Sequence, residues 1–180
     1  MNIAVIGRGN VGGGLAERWR AAGHEVQEIG SDGGDVAQAD VVLVAVPGTA
    51  IADALAKVSG AEGKVTIDAT NAVRGRNDQF ESLAHEVKSI LGGPTAKSFN
   101  LNFAAIYDEI DAQADRPANL FAAEEEARQA TEQLIRDAGY EPVYAGGLDQ
   151  ARALEEHLAL MFAVSQAGTG PFFYRMWSPG

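Results

Sequence analysis

Residues 1–14 of the chain read MNIAVIGRGNVGGG, and this stretch decides the fold. Ile3 to Ile6 form a short apolar run rich in β-branched residues, which is typical of a buried parallel strand. The pattern GxGxxG follows directly, from Gly7 to Gly12, and a helical period starts at Leu15. A strand, a glycine-rich turn and a helix in this order predict the first unit of a dinucleotide-binding domain.

Each glycine of the turn has a predicted physical role. Gly7 permits the tight turn, Gly9 lets the backbone approach a pyrophosphate, and Gly12 lets helix and strand pack closely. The free amides and the positive dipole at the helix start then receive the phosphates. The alternative, an ordinary glycine-rich turn without a ligand, fits the flanking strand and helix less well. The predicted cofactor-binding residues of the turn are Gly7, Arg8, Gly9, Asn10, Val11 and Gly12.

Composition narrows the function classes. The chain has 180 residues, of which 46% are hydrophobic and 22% charged, as in ordinary soluble globular proteins. The formal net charge of −11 argues against nucleic acid as a partner, because a phosphate backbone rewards clustered Lys and Arg. Cysteine is absent, which excludes disulfides and thiolate metal sites. No apolar run approaches the ~20 residues that span a bilayer, so we expect a cytoplasmic protein without a membrane partner.

The segments after the first turn extend it into an α/β sheet. The first helix is predicted from about Asn10 to Ala22, with Gly23 as its stop. A second strand covers His24 to Ile29, and a third covers Val41 to Val46. The segment Gly30 to Asp40 between them is too short for a crossover helix and a further strand. We therefore expect a sheet that is trimmed after strand two, with that strand near an edge.

The rest of the chain continues this alternation within one domain. No internal repeat or low-complexity linker divides it, so the predicted domain covers residues 1–180, including a C-terminal helix and tail at about 149–180. The further predicted strands are 64–68, 96–100, 119–122 and 141–145. The further predicted helices are 50–58, 79–91, 124–138 and 150–166. Together they predict a Rossmann-type, doubly wound and mostly parallel sheet with a small C-terminal helical extension.

The carboxyl ends of the predicted strands carry the remaining candidate site residues, because ligands of open α/β sheets bind there. The strand Val41 to Val46 ends in Val46, Pro47 and Thr49, which we predict to lie beside the cofactor. The next strand ends in Thr70 and Asn71, whose polar groups we expect at the same cleft. Capping of a turn is the alternative role for either of them.

Several stretches spread over nearly the whole chain form a recognisable set. They are Gly9–Ala16, Gly23-His24-Glu25, Gly30-Ser31, Val46-Pro47, Asp68-Ala69-Thr70-Asn71, Lys97-Ser98-Phe99-Asn100 and Leu154-Glu155-Glu156-His157-Leu158, with Gly168 and Gly170 behind the last helix. This set resembles the NADPH-dependent reductases of the deazaflavin coenzyme F-420, whose signature also covers the cytoplasmic domain of the STEAP-type ferric reductases. The first turn is generic, whereas the Lys-Ser-Phe-Asn stretch and the C-terminal helix are more particular.

The resemblance implies a Rossmann domain that transfers a hydride from nicotinamide directly to a stacked flavin-like ring. It implies no acid, base or nucleophile from the protein, since the enzyme mainly positions two cofactors. In agreement, His24, His85 and His157 stand in no triad or metal-ligand spacing. We therefore predict no catalytic side chain and no metal site. The predicted cofactor is NADP or NAD, with coenzyme F-420 or a flavin as co-substrate.

The segment after strand two departs from the family pattern. Where the family has an arginine after Gly30-Ser31, this chain has Asp32. By the resemblance Ser31 is a cofactor-binding residue, whereas Asp32 is either an acceptor for a ribose hydroxyl or a turn aspartate. An aspartate repels the 2′-phosphate of NADP, so Arg8 is the cation expected to compensate. Because the family favours NADP, we expect a slight preference for NADP over NAD.

Three functions remain open on these observations. The leading hypothesis is an NAD(P)-dependent oxidoreductase whose partner is a small-molecule hydride acceptor of the flavin or deazaflavin type. The alternatives are a reductase of a small imine or ketone, and a non-catalytic dinucleotide-binding module or redox sensor. A homodimer is expected from two apolar surfaces. These are the helical stripe of Leu154, Leu158, Met161 and Phe162, and the cluster Phe172-Phe173-Tyr174.

Overall fold

The computed structural model describes residues 1–73 and 75–177, so the last three residues of the predicted domain lie outside the described part. The strands are β1 (Asn2–Ile6), β2 (Glu25–Ile29), β3 (Gly34–Asp35), β4 (Val41–Val44), β5 (Val58–Ser59), β6 (Val65–Asp68), β7 (Thr95–Lys97), β8 (Ala118–Ala123) and β9 (Glu141–Tyr144). The α-helices are α1 (Asn10–Ala21), α2 (Ile51–Leu55), α3 (Leu83–Leu91), α4 (Glu125–Asp137) and α5 (Ala151–Val164). Within the two described ranges, no helix has the length and hydrophobicity needed to cross a bilayer.

Seven strands form one sheet in the order β2-β1-β4-β6-β7-β8-β9. The first five are parallel, β8 runs antiparallel to β7, and β9 is parallel to β8. The predicted mostly parallel Rossmann-type sheet is confirmed, and β2 lies at its edge as the short segment after it predicted. The carboxyl ends of β1, β4 and β6 therefore meet along one rim of the sheet, where ligands of such sheets bind.

Helices cover both faces of this sheet. On one face α1 and α4 pack around Trp19, which is fully buried and whose Nε1 donates to the carbonyl oxygen of Leu134 at 2.8 Å. On the other face α2 and α3 pack on β4 through Ile51, Leu55 and Leu83. Each such apolar side chain contributes roughly 1.5–3 kcal/mol when buried, so the two layers fix the strands that carry the site.

The chain beyond α5 packs back along β8. The carbonyl oxygen of Tyr174 accepts a hydrogen bond from the amide of Ala118 at 2.8 Å. Phe172 and Tyr174 pack with Leu154 and Met161 of α5 in a small apolar cluster. The C-terminal aromatic cluster, from which the sequence predicted a dimer surface, therefore finds packing partners within the chain.

Most predicted elements match the observed ones to within two residues at each end, and three differ by more. The helix predicted at 50–58 is cut to α2, because the chain leaves it to form β5, which pairs with β3. The helix predicted at 79–91 begins at Leu83, because Ser82 caps it by accepting a hydrogen bond from the amide of His85 at 3.2 Å. The strand predicted at 96–100 ends at Lys97, and Phe99 beyond it has a φ of +61°.

Candidate functional site

The glycine-rich turn between β1 and α1 is shaped by close contacts at two of its glycines. Gly7 has a φ of +108°, and a Cβ there would collide with the carbonyl oxygen of Ala45, just after β4. A Cβ on Gly12 would collide with the carbonyl oxygen of Gly7. Both positions therefore require glycine, and the turn brings the start of α1 against the end of β1.

Gly9 stands apart from these two glycines, because no atom lies within 4 Å of the place where its Cβ would be. Gly9 is the N-cap of α1, and within the described chain no side chain caps this helix and no acidic residue lies in its first turn. The amides of Asn10, Val11 and Gly12 are therefore available to an anion, and the helix dipole favours negative charge there.

A cleft of about 390 Å³ opens at this helix start. Three segments that follow β1, β4 and β6 form its walls, and they include all of the predicted Val46, Pro47, Thr49, Thr70 and Asn71. Among the described residues the lining contains no titratable side chain. The lining residues are Gly9, Asn10, Val11, Ala45, Val46, Pro47, Gly48, Thr49, Ala69, Thr70, Asn71 and Val73.

A second cavity, of about 320 Å³, lies on the β2 side of the glycine turn. Its lining includes the predicted residues Arg8 and Ser31, and it shares Val46 and Pro47 with the cleft, so the two cavities adjoin. In a Rossmann sheet this is the side on which the adenosine half of a dinucleotide lies. The cavity is called the adenosine-side cavity below.

Within the adenosine-side cavity the guanidinium of Arg8 lies against the backbone of Gly30. A Cβ on Gly30 would collide with Nη2 of Arg8 and would lie 2.6 Å from its Cζ. The absence of a side chain at Gly30 therefore makes room for Arg8. Asp32 lies nearby in the chain but is exposed and is not among the described lining residues, so its contact with a ribose stays a prediction.

Lys57 is a second cation of this cavity, and sequence reasoning missed it. Its Nζ donates to the carbonyl oxygen of Ser31 at 3.0 Å, and its side chain lines the cavity. The pairing of β3 with β5 brings it there, and the amide of Gly34 donates to the carbonyl oxygen of Lys57 at 3.1 Å. No motif in the sequence marks this contact between two distant turns.

A buried ion network lies next to Thr70. Nζ of Lys97 is 2.7 Å from Oδ2 of Asp68 and 3.1 Å from Oε1 of Glu155, and all three side chains are fully buried. The same ammonium donates to the carbonyl oxygen of Thr70 at 2.7 Å. Oδ1 of Asp68 accepts a hydrogen bond from the amide of Thr70 at 2.8 Å. The network therefore holds the backbone of Thr70 at both its amide and its carbonyl group.

The two predicted polar residues after β6 differ in what their side chains do. Nδ2 of Asn71 donates to the carbonyl oxygen of Asn100 at 2.9 Å, and its Oδ1 accepts from Nδ2 of Asn100 at 3.1 Å. The side-chain carboxamide of Asn71 thus connects the end of β6 to the segment after β7. Thr70 is 2% exposed, and its hydroxyl has no hydrogen-bond partner among the described residues.

No histidine is among the described residues that line the two cavities. Nε2 of His24 is 2.8 Å from a carboxylate oxygen of Asp137, and Nδ1 of His85 is 2.8 Å from Oγ of Ser82. These contacts give the two side chains structural roles. Within the described part of the chain, no three His, Cys, Asp or Glu side chains form a group that could hold a metal ion.

Known proteins share this arrangement at the level of the fold. No protein-family model and no curated protein sequence matches the chain. The structure of a protein provisionally named an F420-dependent NADP-reductase, from Arthrobacter sp. FB24, is similar with a TM-score of 0.81 and 21% identity, covering 98% of this chain and 99% of that one. A hypothetical protein from Sinorhizobium meliloti is similar with a TM-score of 0.68 and 27% identity, covering 82% and 86% of the two chains.

A third similar structure is a reductive aminase from Aspergillus terreus in complex with NADPH and ethyl levulinate. The TM-score is 0.67 at 14% identity, and the match covers 94% of this chain but 62% of that one. The agreement over almost the full length of the Arthrobacter protein supports, at the level of the fold, the resemblance that the sequence indicated. The chain therefore has the Rossmann-type fold that these reductases share.

Proposed function

We propose that the protein is an NAD(P)-dependent oxidoreductase that transfers a hydride between a nicotinamide dinucleotide and a flavin-like or deazaflavin acceptor. The observation that carries the proposal is the uncapped start of α1, which follows the Gly7–Gly12 turn and opens onto the 390 Å³ cleft. Such a helix start attracts the pyrophosphate of a dinucleotide. The name of the similar Arthrobacter protein, an F420-dependent NADP-reductase, supports the same cofactor class.

The two adjoining cavities suit the two halves of a dinucleotide. The adenosine-side cavity offers the polar groups of Arg8, Ser31, Lys57 and Asp53, so two cations face one carboxylate there. The cleft beyond the helix start is walled by Ala45 and Ala69, which suit the apolar face of a nicotinamide ring. When bound, the dinucleotide supplies or accepts the hydride. The residues of the chain bind its phosphates, orient its ring and exclude water from one face of that ring.

The two cations of the adenosine-side cavity favour NADP over NAD. The two dinucleotides differ by the 2′-phosphate, which guanidinium and ammonium groups bind through charge-assisted hydrogen bonds. Arg8 and Lys57 line the same cavity, where Arg8 lies against Gly30 and Lys57 donates to the carbonyl oxygen of Ser31. Asp32 lies outside the described lining, so the carboxylate that the two cations have to outweigh in this cavity is that of Asp53.

The chemistry of the cleft favours a flavin-like acceptor. Reduction of an imine or ketone requires a proton at the reacting nitrogen or oxygen, and the described lining of the cleft has no titratable side chain to donate it. A flavin-like ring takes its proton at an atom remote from the transferred hydride, where water can supply it. Reduction of a small imine or ketone is the second candidate function, supported by the fold that the chain shares with the NADPH-bound reductive aminase.

We further propose a cytoplasmic homodimer whose partner is the small-molecule acceptor rather than nucleic acid or a membrane. The net charge of −11 disfavours nucleic acid. Leu160 and Val164, four positions apart on α5, remain exposed and offer a surface for a second copy. Sedimentation at micromolar concentration should therefore give a dimer, and Leu160→Glu should shift it to the monomer. A monomeric wild-type protein would contradict the proposal.

The experiment that tests the function separates binding from turnover. Fluorescence titration should give binding of NADPH and NADH, and the absorbance of NADPH should fall when coenzyme F-420 or FMN is added. Oxidation of NADPH with an imine or ketone but with neither ring compound would favour the second candidate. Tight binding without turnover on any acceptor would favour a non-catalytic module or redox sensor. Failure to bind either dinucleotide would overturn the proposal.

A further inference from the structure

Thr70 stands at the end of the site opposite to Arg8 and Lys57. The sheet order β2-β1-β4-β6 puts β2 and β6 on opposite sides of the glycine turn, which follows β1. A dinucleotide with its pyrophosphate at the start of α1 and its adenosine towards β2 therefore extends its nicotinamide towards the end of β6. Thr70 lines the cleft at that end.

The hydroxyl of Thr70 is buried without a hydrogen-bond partner among the described residues. Nearly all buried side-chain polar groups in proteins are hydrogen-bonded. Thr70 is 2% exposed, yet its Oγ1 has no partner among the described residues. The neighbouring Asn71, by contrast, uses both polar atoms of its side chain on Asn100. At this end of the cleft, Thr70 is thus the residue of the two whose side chain has a polar atom without a partner among the described residues.

The position of Thr70 is set by charges that are costly to bury. Asp68 and Lys97 hold its amide and its carbonyl group, at 2.8 and 2.7 Å. The free energy of taking such charges out of water often exceeds the free energy gained from their attraction. Stabilisation of the fold is therefore a poor explanation for a buried ion network. Glu155 of α5 joins the network and accepts a hydrogen bond from the amide of Leu83 at 2.9 Å. Lys97 is accordingly a positioning residue for Thr70.

We propose that the hydroxyl of Thr70 recognises the carboxamide group of the nicotinamide ring, an inference that rests on the proposed function. A carboxamide offers an oxygen acceptor and an amino donor, and a threonine hydroxyl can both donate and accept. The adenosine end of the site has no part in this contact. The affinity of the nicotinamide half should therefore depend on Thr70, and that of the adenosine half should not.

The test compares a whole dinucleotide with a fragment. In Thr70→Val the hydroxyl is lost while the shape is kept, so the dissociation constant for NADPH should rise about three- to tenfold, as expected for one hydrogen bond. The dissociation constant for adenosine 2′,5′-bisphosphate, which lacks the nicotinamide, should change by less than twofold. Thr131→Val is the matched control, because Thr131 is buried in α4 and donates to Ala127 at 2.8 Å, remote from both cavities.

Two further measurements keep the inference testable if Thr70→Val folds poorly. Thr70→Ser should bind NADPH like the wild type. An NADP analogue with hydrogen in place of the carboxamide should bind the wild type about three- to tenfold more weakly than NADP does. Equal binding of analogue and NADP by the wild type, or equal losses for NADPH and the fragment in a folded Thr70→Val, would overturn the inference. A wild type that binds neither NADPH nor the fragment would instead overturn the proposed function.

Discussion

Lys57 donates a hydrogen bond from its ammonium group to the carbonyl oxygen of Ser31 at 3.0 Å, although 26 positions separate the two residues. Arg8 lies in the same cavity, with its guanidinium against Gly30. Cations from two different turns thus converge where the resemblance implied a single arginine after Ser31. Under the proposed function, the choice between NADP and NAD should depend on Arg8 and Lys57.

Removing either cation should weaken the binding of NADPH more than the binding of NADH. Arg8→Ala and Lys57→Ala should each raise the dissociation constant for NADPH about tenfold, since a hydrogen bond to a charged group contributes roughly 1.5–3 kcal/mol and both side chains are exposed to screening. NADH should be affected less than twofold. Asp32→Arg should increase the affinity for NADPH. The measurement is a side-by-side titration of both dinucleotides, with the remote Lys88→Ala as control.

Two results would contradict this account of cofactor choice. One is a wild type that prefers NADH tenfold, which would favour the reading of Asp32 as a ligand of the ribose hydroxyl. The other is an equal loss of NADPH and NADH in Lys57→Ala, which would mean that Lys57 supports the turn at Ser31 rather than a phosphate.

Gly30→Ala should also weaken the binding of NADPH but not that of NADH, although it removes no charged side chain. The added Cβ would collide with the end of the flexible Arg8 side chain, which can move away while the fold stays intact. Arg8 would then leave the adenosine-side cavity. We expect NADPH to bind roughly five- to tenfold more weakly, NADH to bind as before, and the melting temperature to stay near that of the wild type. In Arg8→Ala, the further change Gly30→Ala should have no effect, and an additive loss would argue against displacement of Arg8.

Gly9→Val should abolish binding of both dinucleotides while leaving the fold intact. Gly9 has a φ of −78°, which any residue can adopt, and its Cβ would meet no atom of the chain within 4 Å. The valine would therefore occupy only the space where a pyrophosphate has to approach. Gly13→Ala is the control: its Cβ makes ordinary contacts of 3.7 Å, and alanine within a helix stabilises by about 0.5–1 kcal/mol. Unchanged affinity in a folded Gly9→Val would remove the basis for a dinucleotide site.

Lys97→Met should destabilise the protein far more than a change to a surface lysine. It would leave the fully buried carboxylate of Asp68 without its cation and would leave Glu155 with only Arg76, at 3.4 Å, and breaking a buried pair in this way costs about 3–5 kcal/mol. Lys88, whose side chain is 37% exposed, pairs with Glu124 at 2.6 Å, so Lys88→Met should cost at most about 1 kcal/mol. Urea unfolding of both variants measures the difference. Equal losses in the free energy of unfolding would mean that water or a proton compensates the charges of Asp68 and Glu155 when Lys97 is removed.

Alkaline pH should weaken the protein through Tyr174. Burial raises the pKa of its hydroxyl to about 12, and that hydroxyl accepts a hydrogen bond from the amide of Leu120 at 3.3 Å. The unfolded chain ionises near pH 10, so stability is complete below that pH and falls as the pH rises from about 10 to 12, by up to about 1.4 kcal/mol per pH unit. Tyr174→Phe should show a shallower fall in urea midpoint over this window. Identical slopes for both proteins would contradict the prediction.

The parts of the site that were predictable from the sequence are those set by local pattern. β1, the glycine turn and α1 follow each other directly, so hydrophobic periodicity and glycine spacing were enough to place them. Val46, Pro47 and Thr49 were predictable because they end a continuous apolar strand. The segment Ala104–Ala112 was not predicted, because its 3₁₀ conformation lacks the 3.6-residue period of an α-helix.

The unpredicted parts depend on contacts between distant segments. Lys57 reaches Ser31 because β3 and β5 pair, and strands of two residues each leave no hydrophobic pattern to read. The sequence placed Thr70 and Asn71 at the cleft, but it could not distinguish their roles. That distinction depends on Asn100, which occupies the side chain of Asn71 from the next strand along the sheet.

The place of β2 as an edge strand has a consequence for the conditions under which the cofactor is chosen. No further strand of the described sheet shields the adenosine side, and Arg8 and Lys57 are both exposed there. The range of their charges is about 30 Å at 0.01 M salt and about 8 Å at 0.15 M. A preference for NADP that depends on these two cations should therefore shrink as ionic strength rises, so that the trimmed edge makes the cofactor preference a function of the salt concentration around the protein.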